Sequence, residues 1–155
     1  MGYSGDNEEA LWAIESGLFD TLQTSFSLVD QNARTRLFTM AKSRGVGIII
    51  KRPIANGAWG ASSSASAYAQ EYFKRAKAMA HLGPIPNAPA DRVLLALAFV
   101  LTHPEVDTAI VGTHNPSHMQ ANLELLVKGL SIPQGVLDEL YRRFNALGED
   151  WVQLE

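Results

Sequence analysis

Two short, uninterrupted apolar runs constrain this chain more than any other feature. Residues 46–50 and 109–111 are rich in β-branched side chains, contain only one glycine, and show no helical spacing. Runs of this kind predict strands that are buried on both faces, as in parallel sheets covered by helices. Because segments with helical periodicity stand between the runs, the sequence predicts an α/β protein with a parallel sheet.

The other predicted elements complete an alternating order of strands and helices. Residues 1–5 predict the end of a strand that leads into a helix, capped by Asp6 or Asn7 and ended near Gly17. Residues 20–28 predict a further strand, and Asn32 is expected to cap the next helix. The later helices are predicted over residues 32–44, 67–81, 93–102, 117–128 and 134–147. The remaining residues, 148–155, are expected to lie on the surface with Trp151 and Leu154 as anchors.

The length of the chain conflicts with a closed barrel. Its 155 residues, 46% hydrophobic and 19% charged, predict one globular domain over residues 1–155. A closed (β/α)₈ barrel typically needs about 250 residues, and a sheet this small leaves open edges and one uncovered apolar face. The chain is therefore either a small open sandwich or a sheet that a second copy completes. We favour a homodimer or higher homo-oligomer formed through the open sheet edges.

Composition excludes several classes of function. The net charge of −3 provides no basic field for nucleic acid or for a membrane surface. The absence of cysteine excludes disulfides and thiolate chemistry. The longest apolar run, residues 93–101, is too short to cross a bilayer, and the first residues lack the features of a signal peptide. We therefore expect a cytoplasmic protein with no nucleic-acid or membrane partner.

The turn after the last predicted strand is the best candidate for a binding site. Gly112 lets the backbone turn, Asn115 is a favourable helix cap, and Pro116 fits the first helical position. Such a turn directs backbone N–H groups and the positive end of a helix at one point, which suits an anion such as a phosphate. The alternative is a well-capped turn that binds nothing, since most α/β proteins contain several.

Other motifs give no second site. His114 and His118 have a spacing that metal ligands use on a helix, but His114 precedes the cap and no third ligand lies near in sequence, so no metal site is predicted. The serine-rich residues 62–66 lack a Gly-x-Ser-x-Gly context. Neither a P-loop nor a Gly-x-Gly-x-x-Gly motif is present.

Four segments in order give the chain a likeness to a known family. They are residues 2–6 (Gly-Tyr-Ser-Gly-Asp), 20–30, 41–57 and 111–123. In this order and at this spacing they resemble the aldo-keto reductases. The resemblance implies the C-terminal half of such an enzyme, from the end of the fifth barrel strand to the closing helices. The implied fold is a partial TIM-type (β/α) barrel, half of the whole, with parallel strands covered by helices.

The resemblance also implies a cofactor site, because this family binds NADPH across the C-terminal rim of the barrel. Two of the matching positions correspond to groups that hydrogen-bond the nicotinamide carboxamide. Residues 51–56 correspond to the loop beside the nicotinamide and the pyrophosphate, and residues 112–122 to the segment that holds the adenosine 2′-phosphate and the adenine. The implied cofactor-binding residues, beginning with the two carboxamide contacts, are Ser4, Gln23, Lys51, Arg52, Pro53, Ile54, Asn56, Gly112, Thr113, Asn115, His118 and Asn122.

The sequence departs from the family pattern in the cofactor site. Lys51 stands where members often have an aromatic ring stacked on the nicotinamide. Gly112 and His118 stand where many members have a lysine and an arginine that neutralise the 2′-phosphate, and Ala121 replaces a frequent glutamate. Histidine is only partly charged near neutral pH, so these changes weaken the preference for NADP and allow NAD.

The larger departure concerns catalysis. The family reduces carbonyls with a tyrosine, lysine, aspartate and histidine on the earlier strands, and none of the four maps onto this chain. Three hypotheses remain. The chain is a half barrel with a partial NAD(P)-binding rim and no catalytic tetrad. Alternatively, it is an NAD(P)H-dependent carbonyl oxidoreductase once a second chain completes the barrel, or a non-catalytic assembly module that binds no nucleotide.

Overall fold

The computed structural model describes residues 1–154 and contains one parallel sheet. Its strands are β1 (Gly2–Ser4), β2 (Thr21–Ser25), β3 (Gly47–Lys51) and β4 (Thr108–Ile110). They lie side by side in the order β1-β2-β3-β4, and every neighbouring pair is parallel. The predicted α/β fold with a parallel sheet is therefore confirmed.

Helices connect and follow the strands. They are α1 (Asn7–Ser16), α2 (Leu37–Ser43), α3 (Gln70–Ala80), α4 (Arg92–Leu101), α5 (Pro116–Lys128) and α6 (Gln134–Leu147), with short 3₁₀ turns at Asn32–Arg34 and Ala55–Gly57. Gly17, at φ 67°, ends α1 as the sequence predicts. Asp91 caps α4 and accepts hydrogen bonds from the backbone N–H groups of Val93 and Leu94 at 2.8 and 3.0 Å.

One predicted helix cap is wrong, and another is right in its position but makes no capping hydrogen bond. Asn32 does not begin a long helix, because its side-chain amide donates to the carbonyl of Trp151 and the backbone forms only a 3₁₀ turn there. The α-helix that follows starts later, at Leu37. Asp6 occupies the cap position of α1 but its carboxylate makes no capping bond, since it accepts from the backbone N–H of Ser25 instead.

The two faces of the sheet have different compositions. One face packs under the helices and contributes Leu22, Ile48 and Ile50 to the core, each at most 1% exposed. On the opposite face, one row aligned across the strands reads Ser4, Gln23, Ile49, Thr108. Most of its residues are small or polar, and Ser4 and Thr108 are exposed. The expectation of an uncovered apolar face is therefore wrong, although the face itself is largely uncovered.

Both edges of the sheet are open and carry exposed apolar side chains. Beside β1, Trp12 and Leu18 are 56% and 60% exposed. Beside β4, Ile110 is 51% exposed, and α5 has no buried residue along its 13 positions. Its apolar side, which the sequence predicts, consists of Met119, Leu123, Leu126 and Val127, all exposed. At each edge, the outer strand has no further strand paired with it among residues 1–154.

The C-terminal segment, residues 148–154, is more deeply inserted than predicted. Gln153 is only 3% exposed, and its side-chain amide donates to Asp6 Oδ1, Thr24 Oγ1 and the carbonyl of Ser25 at 3.2, 2.9 and 2.8 Å. Trp151 and Leu154 do pack against the core, but Gln153 is the buried member. The prediction of a surface segment holds for Glu149, Asp150 and Val152, which are exposed, but it is wrong for Gln153, because polar strand-end residues bind its side chain. Glu155, which the prediction includes, lies outside the described residues.

Asp30 holds the same segment from the other side. It is fully buried, and its Oδ2 accepts a hydrogen bond from the backbone N–H of Leu154 at 2.8 Å. Its Oδ1 has no hydrogen-bond partner among residues 1–154. Burial raises the pKa of Asp30 to about 7, against the opposing effects of the Leu154 hydrogen bond and the nearby Arg75 and Arg52. The carboxyl therefore keeps its proton in the folded chain at mildly acidic pH.

This proton makes the stability depend on pH. In the unfolded chain Asp30 ionises near its ordinary pKa of 3.8, while in the folded chain it ionises near 7. The contribution of Asp30 to the free energy of unfolding therefore falls as pH rises from about 4 to about 7 and is constant above, with a slope of up to about 1.4 kcal/mol per pH unit.

Asp30→Asn keeps the acceptor for Leu154 and cannot ionise. Urea unfolding of both proteins from pH 4.5 to 8 should show the wild type losing stability relative to the variant. A difference that is constant with pH would contradict this assignment.

Candidate functional site

All four strands end at the same edge of the sheet, which we call the rim. Because the strands are parallel, the residues that follow β1, β2, β3 and β4 meet there. In parallel sheets, ligands bind outside the carboxyl ends of the strands. The rim is therefore the natural place to look for the implied cofactor contacts, and it contains three groups of them.

The first group lies at the ends of β1 and β3. Ser4 and Lys51 line a cavity of about 370 Å³, and the Nε2 of Gln23 donates to Ser4 Oγ at 3.4 Å. The ammonium of Lys51 lies 2.7 Å from Asp6 Oδ2. The structure thus brings together Ser4, Gln23 and Lys51, and adds a carboxylate that the sequence suggests only as a helix cap.

Asp6 fixes the position of this lysine. Its side chain is 1% exposed, and its Oδ1 accepts from Ser25 N, Thr24 Oγ1 and Gln153 Nε2 at 2.6, 2.9 and 3.2 Å. A carboxylate oxygen that accepts from three donors holds the side chain in one orientation. One sequence signal could have revealed the pair, because both residues closely follow predicted parallel strands and such strand ends converge.

The second group is the loop after β3. Arg52 turns away from the open rim, since its Nη1 donates to Ser25 Oγ at 2.9 Å and to the carbonyl of Leu154 at 2.8 Å. Pro53 is buried. Arg52, Ala55 and Asn56 have φ values of 60°, 49° and 54°, a conformation that side chains other than glycine seldom adopt. Strained backbone of this kind is concentrated at binding sites.

Asn56 adds a buried donor to this loop. Its Nδ2 has no hydrogen-bond partner among residues 1–154, and the residue lines a cavity of about 290 Å³ together with serine-rich residues 63–65. An unpaired buried amide costs free energy unless a ligand or water satisfies it. The loop therefore contains a buried donor without a partner among residues 1–154, on a residue that also lines a cavity.

The third group is the turn between β4 and α5. As predicted, Asn115 caps α5 by accepting from Ser117 N at 2.9 Å, and Pro116 is the first helical residue. The strand is shifted by one residue from the prediction and ends at Ile110. Thr113 Oγ1 accepts from Asn115 N at 3.1 Å, which fixes the turn before the helix. These hydrogen bonds therefore fix the position of the N-terminus of α5, which is the positive end of its dipole.

This turn forms one wall of a rim cavity of about 480 Å³. The implied cofactor residues that line it are Ile54, Gly112, Thr113, His118 and Asn122. Asn115 is not among the lining residues, because its side chain is used as the cap. Arg92 and Lys128 also line the cavity, together with Asp91 and Glu124. Sequence reasoning missed Arg92, since it treated the start of α4 only as the beginning of a buried helix.

A model of the aldo/keto reductase family matches residues 9–135. The chain belongs to the aldo-keto reductase family. Members of this family generally bind NAD(P)H. The resemblance seen in the four sequence segments is therefore confirmed.

Solved structures confirm the half-barrel fold. The chain is similar to the aldo-keto reductase AKR11C1 from Bacillus halodurans in its holo form, with a TM-score of 0.71, 16% identity, and coverage of 92% of this chain and 49% of that chain. For the apo form of the same protein the TM-score is 0.69 at 16% identity, with 90% and 49% coverage. This aldo-keto-reductase chain thus spans about half the length of the structures that it matches. A search of curated proteins found no match.

No group of three or more histidine, aspartate or glutamate residues among residues 1–154 is placed to hold a metal ion. None of the helices described there has the length and apolar character that crossing a membrane requires.

The ion pair between Asp6 and Lys51 gives a test of how the rim is held. Asp6→Ala should lower the free energy of unfolding by about 3–5 kcal/mol, because it leaves Lys51 without its partner and several buried donors without an acceptor. Lys51→Met should cost less, since Asp6 keeps its other donors. Urea unfolding of both variants and of the double variant measures the coupling. The exposed pair of Arg36 and Glu8, 3.3 Å apart, is the matched control and should couple by less than about 1 kcal/mol. Equal coupling in the two pairs would show that Asp6 does not organise the rim.

Proposed function

We propose that this aldo-keto-reductase chain provides a rim that binds a nicotinamide dinucleotide, NADP or NAD, and carries no catalytic tetrad of its own. The observation that carries the proposal is the 480 Å³ cavity at the turn between β4 and α5. It is lined by Gly112, Thr113, His118 and Asn122, four positions where family members hold the adenosine half of the cofactor. Sequence positions and cavity lining thus support the same site.

The physics of the turn favours a phosphate at this place. The helix dipole gives the N-terminus of α5 a partial positive charge, which attracts anions within about the first turn. His118 lies in that first turn and lines the cavity, so its ring N–H can donate to a phosphate oxygen there. These groups suit a phosphate of the dinucleotide better than an apolar ligand.

The proposed absence of a tetrad is supported by where the tyrosines lie. The hydroxyl of Tyr141 is 2.7 Å from His103 Nε2, and that of Tyr72 donates to the carbonyl of Leu154 at 3.4 Å. Burial raises the pKa of Tyr72 to about 12, which is the wrong direction for a proton donor. Tyr3 packs against Trp12 and Phe19. These contacts give structural roles to three of the chain's tyrosines.

A titration of nicotinamide fluorescence tests the binding proposal. NADPH and NADH should both bind the purified chain saturably, and His118→Ala should weaken NADPH binding by roughly three- to tenfold, since a charge-assisted contact to phosphate is lost. His81→Ala is the matched control, because His81 is an exposed histidine outside the rim. No binding at millimolar cofactor would reject the proposal. Oxidation of NADPH by the isolated chain with a carbonyl substrate would show that the missing tetrad is a wrong inference.

We also propose that the chain self-associates through the open edges of β1 and β4. Unpaired strand edges attract further strands, and exposed apolar side chains beside both edges add a hydrophobic contribution. Trp12 and Leu18 lie beside the first edge, and Ile110 and Leu123 beside the second. If the edges of a second copy pair with these edges, the assembly would be closed and symmetric, and these side chains would be buried.

Sedimentation measures this association directly. The wild type should sediment as a dimer or larger assembly, and Leu123→Glu should shift the mass towards the monomer because a charge replaces an apolar contact on α5. Leu82→Glu is the matched control, since Leu82 is 45% exposed and follows α3, outside β1, β4 and α5. A wild type that is monomeric at every concentration, or two variants with equal effects, would overturn the proposal.

A further inference from the structure

Arg92 lies at the junction of two rim cavities. As the first residue of α4, it lines both the 480 Å³ cavity at the turn between β4 and α5 and the 290 Å³ cavity beside Asn56. Its side chain is exposed, and Nη1 donates to the carbonyl of Gly60 at 3.4 Å. A guanidinium has five N–H donors, so the contact with Gly60 leaves most of them for a ligand.

The neighbouring acidic groups have other partners. The carboxylate of Asp91 accepts from the N–H groups of Val93 and Leu94, so its charge is directed at the start of α4. Glu124, which also lines the 480 Å³ cavity, accepts from Gln120 Nε2 at 3.3 Å. Lys128, the other cation of the cavity, lies in the last turn of α5, at the helix end opposite the proposed phosphate position. Arg92 is thus a positive charge that lines both cavities.

We infer that Arg92 binds a phosphate group of the ligand in these cavities. The inference rests on the proposed dinucleotide function and names the cation of that site. The chain has glycine at position 112 and histidine at position 118, so neither supplies a permanent charge there. A guanidinium at the cavity wall fills that need, because its planar fork matches two oxygens of a phosphate and it stays charged at every physiological pH.

Two phosphate sources share this chemistry, the ribose 2′-phosphate of NADP and the pyrophosphate of either dinucleotide. Fluorescence titration of Arg92→Gln with NADPH and with NADH separates them. The variant should lose about tenfold or more in affinity. A loss for NADPH alone assigns Arg92 to the 2′-phosphate, and an equal loss for both assigns it to the pyrophosphate. Arg36→Gln, an exposed arginine at the start of α2, should bind as the wild type does.

Salt dependence gives a second readout that a structural role would not change. Cofactor affinity of the wild type should fall more steeply with potassium chloride than that of Arg92→Gln, since one charge–phosphate contact is screened in the former and absent in the latter. Arg92→Lys keeps the charge and should lie between the two proteins in affinity. If the wild type binds and Arg92→Gln binds equally well with the same salt dependence, the assignment of Arg92 is overturned while the proposed function stands. If the wild type binds neither cofactor, the proposed function itself fails.

Discussion

The buried carboxylate of Asp6 is the interaction on which the rim depends most. It is 3% exposed, and through its two oxygens it joins the end of β1 to β2, to Lys51 at the end of β3, and to Gln153 of the C-terminal segment. Burial strengthens such contacts and also makes the loss of any partner costly. Residues that are far apart in sequence are therefore held at one edge of the sheet.

The position of Arg52 is a consequence of the same arrangement. Its guanidinium contacts Ser25 and the carbonyl of Leu154, so the inserted segment determines where this charge lies. The backbone around it, with left-handed φ at Ala55 and Asn56, is held by surrounding structure rather than by its own preference. The loop after β3 is thus coupled to residues 148–154, and Arg92 rather than Arg52 lines the cavity at the turn between β4 and α5.

The second constraint is that four strands do not close a barrel. The solved relatives are about twice as long, and the edges of β1 and β4 have no neighbours among residues 1–154. Exposure of the open face to solvent costs little free energy, because Ser4, Gln23 and Thr108 are polar. Exposure of the edges costs more free energy, since Trp12, Ile110 and the apolar side of α5 are in contact with solvent there. Association is therefore expected at the edges and not across the face.

Local signals in the sequence predicted the elements that depend on local physics. The periodicity of residues 134–147 gives α6 with its observed bounds, and Asn115 and Pro116 give the start of α5. Predictions failed where a distant partner decided the outcome. Asn32 donates a hydrogen bond to the carbonyl of Trp151, and Gln153 donates to the carbonyl of Ser25. Both contacts join residues more than 100 positions apart, and neither periodicity nor propensity in the sequence predicts such contacts. The position of Arg92 in the cavity was missed because its neighbours there come from the turn after β4 and from α5, which only the folded sheet brings to the start of α4.

The central claim is that the turn between β4 and α5, with the loop after β3, forms a cradle for a dinucleotide phosphate. Amide chemical-shift mapping during a titration with NADPH tests this most directly, because it locates the ligand without a catalytic reaction. The account predicts shifts concentrated at residues 112–122, 51–57 and 91–93, with α6 unaffected. Shifts centred on residues 80–89 and α6, or a uniform response without saturation, would contradict it.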